Sequence, residues 1–589
     1  MKLKLLLASI FCVQLLSSQT FTEIPSAMPF DPVDSGSIAF SDVDGDGDQD
    51  VLITGFAGTR IAQLYTNDGT GTYKKASAFV GVDFSSIAFS DVDGDGDQDV
   101  LITGLNTSLN PNARLYLNNG MGAYSYSPLS ETLFAGVILG SIAFSDVDGD
   151  GDPDVLITGS IDFFTSIAKL YANNGTGTYS EVPGTPFEGV SSGSIAFSDV
   201  DSDGDPDVLI TGSNNSGTPI AKLYANNGMG NYSEVSGTPF DGIDSGSIAF
   251  SDVDNDGDPD VLITGANNNS STRIAKLYAN DGTGNYSEVL GTPFEGVSSA
   301  SVAFSDVDGD GDQDVFLMGN NTFLTQSAKL YVNDGIGNYS EMLGTPFEAA
   351  SSGICAFDSD GDNDQDVLIV GQTDADIRIA KLYANDGTGI YSEVLGTPFE
   401  GVSSGSVAVS DVDNDGDPDV LLAGRSNSMG IITKLYVNDG AGNYTEVLET
   451  PFEGVWISSS SFLDVDGDGD QDVLITGVNA SNTAIAKLYI NNGGMTFIPT
   501  ELTALPYAFL LYPNPTKAQH MHLNFLAQVN GSVWVKVFDG NGRPLIQQQK
   551  QVSIGAQQVS LDISSLNKGT YIVQLDDGTR KCVQKLLIQ

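Results

Sequence analysis

The chain has 589 residues and a formal net charge of −53, with 77 acidic residues against 24 Lys and Arg. A polymer this negative is repelled by phosphate backbones and anionic headgroups, which argues against nucleic acid or an acidic membrane as partner. Both histidines, His520 and His522, lie near the C-terminus, so the main body lacks the base that a Ser/His or Cys/His pair needs.

Residues 1–19 carry Lys2 and Lys4, an apolar stretch from Leu5 to Leu16, then Ser17 and Ser18, the layout of a secretory signal peptide. The stretch is too short for a membrane span, and no other segment is predicted to be transmembrane. Cys12 follows the bulky Phe11 and reads as signal-peptide filler, not as a lipidation site. Cys355 and Cys582 then remain, too few for a disulfide framework, so stability is expected from packing and metal. Cys355 lies in a repeat strand and is expected to be a buried, inert thiol.

From Asp42 an aspartate run recurs nine times, starting at Asp42, Asp91, Asp146, Asp199, Asp252, Asp306, Asp358, Asp411 and Asp464, at spacings of 49 to 55 residues. A near-fixed period of this size marks a solenoid or propeller. The runs hold 45 of the 77 acidic residues. A disordered acidic tract would lack this Asp/Gly phasing and the flanking apolar strands.

The copy from Ser194 to Gly237 parses into four strands: A, Ser194 to Ser198; B, Asp207 to Thr211; C, Ile220 to Ala225; D, Asn231 to Val235. Val208-Leu-Ile210 is apolar on both faces, as in a strand sandwiched between sheets. Four strands per period describe a propeller blade.

The acidic loop between A and B reads DxDxDGxxD. Two carboxylates about 5 Å apart repel by roughly 3 kcal/mol at an effective dielectric near 20, so the loop needs a cation. Calcium wants six to eight oxygens, and Asp at positions 1, 3, 5 and 9 can supply them, with Gly or a tolerant residue at position 6 for the turn. Position 7 would offer its carbonyl, so Asp205 is not a predicted side-chain ligand. The predicted ligands are Asp42, Asp44, Asp46 and Asp50; Asp91, Asp93, Asp95 and Asp99; Asp146, Asp148, Asp150 and Asp154; Asp199, Asp201, Asp203 and Asp207; Asp252, Asp254, Asp256 and Asp260; Asp306, Asp308, Asp310 and Asp314; Asp358, Asp360, Asp362 and Asp366; Asp411, Asp413, Asp415 and Asp419; and Asp464, Asp466, Asp468 and Asp472. An EF-hand would place Glu at position 12, where the first copy has Ile53, so this is a calcium loop on a hairpin. Magnesium is the alternative, but it keeps its waters and suits a cage rich in protein oxygen less well. About nine Ca2+ ions would bring the formal charge to about −35.

With these loops between strands, residues 20–500 resemble the calcium-binding FG-GAP and VCBS repeats, which form β-propellers like that of integrin α chains. The loop at Asp358 departs from the pattern, with Asn363 at position 6, and the strand before it reads GICAF where others read SIAF. Asn tolerates the left-handed conformation, so this site is expected to be weakened, not lost. Nine periods exceed the usual four to eight blades, yet no linker interrupts them, and a single ring is expected. Phe21-Thr-Glu-Ile24 aligns with a fourth strand such as Tyr232-Ser-Glu-Val235 and could close that ring; residues 495–499 compete for the place.

After a linker at 501–509, residues 510–589 open with Tyr512-Pro-Asn-Pro515 and continue with Asp539-Gly-Asn-Gly542, Leu566-x-x-Gly569-x-Tyr571 and Lys585. Alternating stretches such as Val533–Phe538 predict a small Ig-like β-sandwich. The segment resembles the type A carboxy-terminal sorting domain of the type IX secretion system. That resemblance implies the secretion machinery as a partner and a secreted or outer-membrane surface location.

No catalytic site is expected. Paired carboxylates could hydrolyse glycosides, but the remaining Glu recur in register, as Glu188, Glu295, Glu400 and Glu453 in one motif and Glu181, Glu234, Glu288 and Glu393 in another, which suits blade stitching. The BC loops vary: FAGTR from Phe56, LNTSLNPNA from Leu105, SIDFFTS from Ser160, SNNSGTP from Ser213, ANNNSST from Ala266, NNTFLTQ from Asn320. Varied loops on a repeated scaffold suit recognition, with Asn, Ser and Thr to bond sugars or peptides and sparse aromatic platforms, mainly Phe163, Phe164 and Phe323; Trp456 is the only Trp of the repeats. The expected protein is a monomeric, calcium-binding adhesion or binding protein for a glycan or protein ligand. The alternatives are an extracellular polymer-degrading enzyme and a structural surface-coat protein.

Overall fold

A computed structural model describes residues 21–23, 30–33 and 37–492, apart from 70, 127–133, 163, 268–271, 324, 352 and 429, and most of 509–588. The expected signal peptide, residues 495–499, most of the expected 501–509 linker and Phe163 fall outside the described residues. Two compact units divide the chain, Met1–Met495 and Thr496–Gln589. Every regular element among the described residues is a strand.

In the fourth repeat, A is Ile195–Ser198, B Asp207–Asn214, C Pro219–Ala225 and D Ser233–Glu234. All pairings are antiparallel, with Ile195 opposite Ile210, Val208 opposite Tyr224 and Tyr224 opposite Glu234. The first six residues of B are buried, as a strand covered on both faces requires. B outruns its apolar stretch because Gly212 and Ser213 extend the ladder to Ile220 and Pro219. D is shorter than expected because Asn231 stays in the turn, bonding the Met229 carbonyl, and Tyr232 tucks its hydroxyl onto the Pro206 carbonyl.

Blades stack by their faces. Val147, Leu156 and Leu170 of blade 3 pack on Val190, Val208 and Tyr224 of blade 4. An equivalent core fills each other junction along the chain. A ninth core joins Val465, Leu474 and Leu488 of blade 9 to Val51, Ile53 and Tyr65 of blade 1, so nine blades form one closed ring, a β-propeller. The strand Phe21–Glu23 completes blade 9, pairing Phe21, Thr22 and Glu23 with Asn491, Ile490 and Tyr489. That register repeats Tyr444 and Glu446 against Asn438 and Tyr436 in blade 8, as the alignment of FTEI with YSEV predicts.

Recurrent Phe and Tyr side chains stitch each blade, and in blades 4 to 9 a Lys adds a fork to two acidic side chains. Phe187 lies edge-on to Tyr224 at 5.0 Å, and the Tyr224 hydroxyl accepts the Glu188 N–H at 3.0 Å. Lys222 binds Glu188 at 3.0 Å and Glu234 at 3.1 Å. The same fork joins Lys487 to Glu453 and, across the ring closure, to Glu23. Cys355 is half-buried, less covered than its strand suggests, and burial raises its thiol pKa.

The C-terminal unit has a three-stranded and a four-stranded sheet. Met521, Leu523, Val559 and Leu561 of the first share one core with Val535, Val537, Val573 and Leu586 of the second. This is a two-sheet sandwich, as its alternating apolar pattern requires.

Candidate metal centre

Strands alternate in direction, so the nine AB loops and the CD turns share one face of the ring and the BC loops the other. In the first loop, Asp42 wraps the chain around itself: its Oδ1 accepts the Gly45 N–H at 2.8 Å and its Oδ2 the Gly47 N–H at 3.0 Å. Asp46 Oδ1 accepts the Asp48 N–H at 3.1 Å. Asp50 is 1 % exposed and takes the Val43 N–H on Oδ2 at 2.8 Å and the Asn67 N–H on Oδ1 at 2.7 Å. Backbone donors thus hold the carboxylates of positions 1, 5 and 9 in place.

Asp42, Asp44 and Asp50 bring carboxylate oxygens within 4.8 Å of one another, as do Asp91, Asp93 and Asp99, Asp146, Asp148 and Asp154, and Asp252, Asp254 and Asp260. In blade 4 the group is Asp199, Asp201 and Asp203, and four further groups occur among the described residues. Position 3 carries the sharpest signal. Oδ1 of Asp44, Asp93, Asp148, Asp201, Asp254, Asp308, Asp360 and Asp466 is buried with no hydrogen-bond donor. A buried carboxylate oxygen without a donor is costly, and the cost recurs in register, which fits a hard cation at the centre of each loop. Burial pushes the Asp50 carboxyl up to about 7 and Asp419 up to about 8, against the pull of their backbone donors. Burial and the Asp46 charge raise Asp44 as well. These are carboxylates dehydrated and crowded together, an arrangement that favours a divalent ion over water.

Position 7 stands apart. Asp205 lies over the CD turn, and a Cβ on Gly228, at φ +69°, would stand 2.3 Å from its Oδ2. In blade 7, Asn363 adopts φ +72° and donates its N–H to Asp358 Oδ2 at 2.9 Å, so the loop keeps its wrap.

The opposite face differs from expectation. The Asn of the BC loops are largely engaged within the protein. Asn106, Asn214, Asn321 and Asn479 each fold their own loop by accepting two backbone N–H groups. Asn215 clamps the Ser166 backbone of blade 3, and Asn427 that of Arg378 in blade 7. Trp456 has the Arg425 guanidinium over its ring at 4.3 Å. Large apolar side chains also point outward, beside exposed polar ones such as Thr107, Ser216 and Ser481: Leu109, Phe164 and Phe323 are 66 %, 88 % and 84 % exposed. Sequence reasoning also missed the buried Asn at the end of strand C, although its recurrence after Tyr-x was visible.

Two family models match. An FG-GAP-like repeat covers residues 42–102, 91–157, 199–263, 252–317, 306–369, 358–422 and 411–475, windows that contain all nine loops. A secretion system C-terminal sorting domain covers 510–589. No curated protein matches. Among solved structures, a six-bladed β-propeller lectin of Aleuria aurantia with a fucose recognition mode is 12 % identical, with a TM-score of 0.27 over 53 % of this chain and 96 % of the lectin. AofleA from Arthrobotrys oligospora is 10 % identical, with a TM-score of 0.24 over 53 % and 86 %. A tetra-tandem repeat of a large adhesion protein is 13 % identical, with a TM-score of 0.13 over 76 % and 99 %. Likenesses this slight do not define the fold; the ring rests on its own strand register and its nine junctions.

Proposed function

The chain belongs to the FG-GAP-like repeat family, and from that premise we propose that it is a calcium-stabilised binding protein whose irregular BC face engages an extracellular glycan or protein. Its sorting domain sends it through the type IX secretion machinery to the cell surface or beyond. Calcium would be held by Asp at positions 1, 3, 5 and 9 of each loop; once bound it neutralises the crowded carboxylates and ties each AB hairpin together. The buried, donorless Oδ1 at position 3 is the observation that supports a cation there.

Binding is favoured over catalysis because the acidic side chains already have structural work. Those at position 9 accept two backbone N–H groups, and Glu188, Glu234 and Glu453 pair with lysines. The outward Leu109, Phe164 and Phe323 offer a face for ligand contact. Purified protein should be screened against glycans and matrix proteins with calcium and with chelator. Calcium-dependent retention without chemical change is the expected result; turnover that survives Asp-to-Asn changes in the loops would reverse the assignment.

A further inference from the structure

Strand C of each blade ends on, or runs directly into, a buried asparagine whose side chain leaves its own blade. Asn226 gives its backbone N–H to Asp207 Oδ1 at 2.7 Å in the blade 4 loop, and its Nδ2–H to the Val147 carbonyl at 2.6 Å in the blade 3 loop. Val147 is flanked by Asp146 and Asp148, and its own N–H goes to Asp154 Oδ2 at 3.0 Å. From Asp154 the same steps lead through Asn173 to Val92 and Asp99. The circuit is unbroken. Asn67, Asn118, Asn280, Asn333, Asn385, Asn438 and Asn491 make the equivalent links, and Asn67 reaches Val465 to join blade 1 to blade 9. The position 2 N–H donates to the position 9 carboxylate in every loop. Position 4 side chains also touch the next loop directly: Asn255 donates to Asp312 at 2.8 Å, Asn414 to the Gly469 carbonyl at 3.1 Å, and Ser202 to Asp258.

We propose that these asparagines are positioning residues that couple neighbouring cation sites, so that calcium loads the ring cooperatively; the proposal rests on the calcium reading above. The peptide units around Val147 join the position 1 and position 3 carboxylates of loop 3, while the Val147 carbonyl is the acceptor that orients Asn226. Asn226 in turn holds the position 9 carboxylate of loop 4. A cation that fixes loop 3 therefore orders part of loop 4 before loop 4 fills, and the ordering entropy is shared between sites. The buried residue cannot follow one loop without pulling on the other, because its backbone N–H is bound to loop 4 and its Nδ2–H to loop 3. Repulsion between neighbouring ions opposes this coupling, and the isotherm reads the balance.

The test is calorimetric titration of the chelator-stripped, full exported chain with CaCl2, with melting temperature as a second readout. The expected wild-type isotherm is steeper than that of independent sites. Asn226→Ala is expected to weaken the blade 3 and blade 4 sites about tenfold or more, the usual effect of losing a residue that orients a metal ligand. It should also reduce the calcium-induced rise in melting temperature, whereas a hydrogen bond serving only the blade junction would lower melting equally with and without calcium. An isotherm of independent or anti-cooperative sites, or equal destabilisation in both conditions, overturns the coupling while leaving calcium binding intact. No saturable binding by the wild type overturns the calcium reading and the coupling with it. Should Asn226→Ala fail to fold, the wild-type isotherm decides alone.

Discussion

Replacing Phe21 with alanine should open the ring at its seam. Phe21 is 8 % exposed, stacks edge-on against Phe452 at 4.9 Å and joins the blade 8–9 core. Truncating a buried Phe costs about 3–5 kcal/mol, and the lower end applies to a three-residue edge strand that can yield. Ordering those three residues costs about 3–6 kcal/mol. Without Phe21, what opposes that cost is a short backbone ladder and the half-exposed Glu23–Lys487 pair at 2.8 Å, worth at most about 1 kcal/mol after solvent screening. The strand should therefore detach and leave the C strand Ala484–Asn491 with an unpaired edge. At about 1 kcal/mol per degree for some 470 residues melting together, a loss of about 3 kcal/mol lowers the melting temperature by about 3 °C. Hydrogen exchange gives the local readout: the Ile490 amide, which faces Thr22, should lose protection, while the Asn491 amide, held by Asp472, and those of the B strand Asp472–Asn479 keep it. Unchanged protection at Ile490 in Phe21→Ala would refute this account of closure.

Chelation should have the largest effect. At about 1 mM free calcium and a dissociation constant of about 0.1 mM, each filled site adds about 1.4 kcal/mol, so nine add about 13 kcal/mol and raise melting by about 13 °C; a scan indifferent to chelator would remove the metal from the account. Gly189→Ala should destabilise by about 1–3 kcal/mol or block folding, because its Cβ would stand 2.1 Å from the Ser166 carbonyl oxygen, a backbone atom that cannot swing away. Tyr224→Phe removes the acceptor of the Glu188 N–H and should cost about 1–2 kcal/mol, measured by denaturant midpoint at saturating calcium.

Much of this architecture can be read from the chain because it is written nine times. The Asp phasing places the loops, and the apolar run Val208-Leu-Ile210 places a doubly covered strand, since both depend on local pattern. The match of Phe21-Thr-Glu with Tyr-Ser-Glu even anticipates the closing strand. Blade count within one ring is different, because it depends on whether Leu488 finds Val51 across more than 400 residues. The buried asparagines were equally silent: a recurring Asn in a strand-end column looks like turn chemistry until its Nδ2 is seen to bond the preceding blade. The BC loops misled for a related reason. Asn214-x-Ser216-x-Thr218 has the spacing of a self-capping loop, and its polarity serves that cap before any ligand.

The circuit also explains which positions are free to vary. It runs through the backbone N–H and carbonyl of position 2, so Ser359 can replace Val there: its N–H still reaches Asp366 at 2.9 Å and its carbonyl still receives Asn438 at 2.7 Å. Position 4 lies outside the asparagine circuit and changes among Gly, Ser202, Asn255 and Asn414, the last three at φ near +59°; where it is Asn or Ser it adds a direct contact to the next loop. The position 9 carboxylate and the strand C asparagine are inside it, and neither changes in any blade. An alteration there would be felt in its own loop and in a neighbour's, whereas the BC clamps, such as Asn215 on Ser166, join separate pairs of blades and form no continuous circuit among the described residues. Coupling thus holds one face of the ring uniform and leaves the other free to differ from blade to blade. Leu109, Phe164 and Phe323 can therefore change without disturbing the nine loops on the other face.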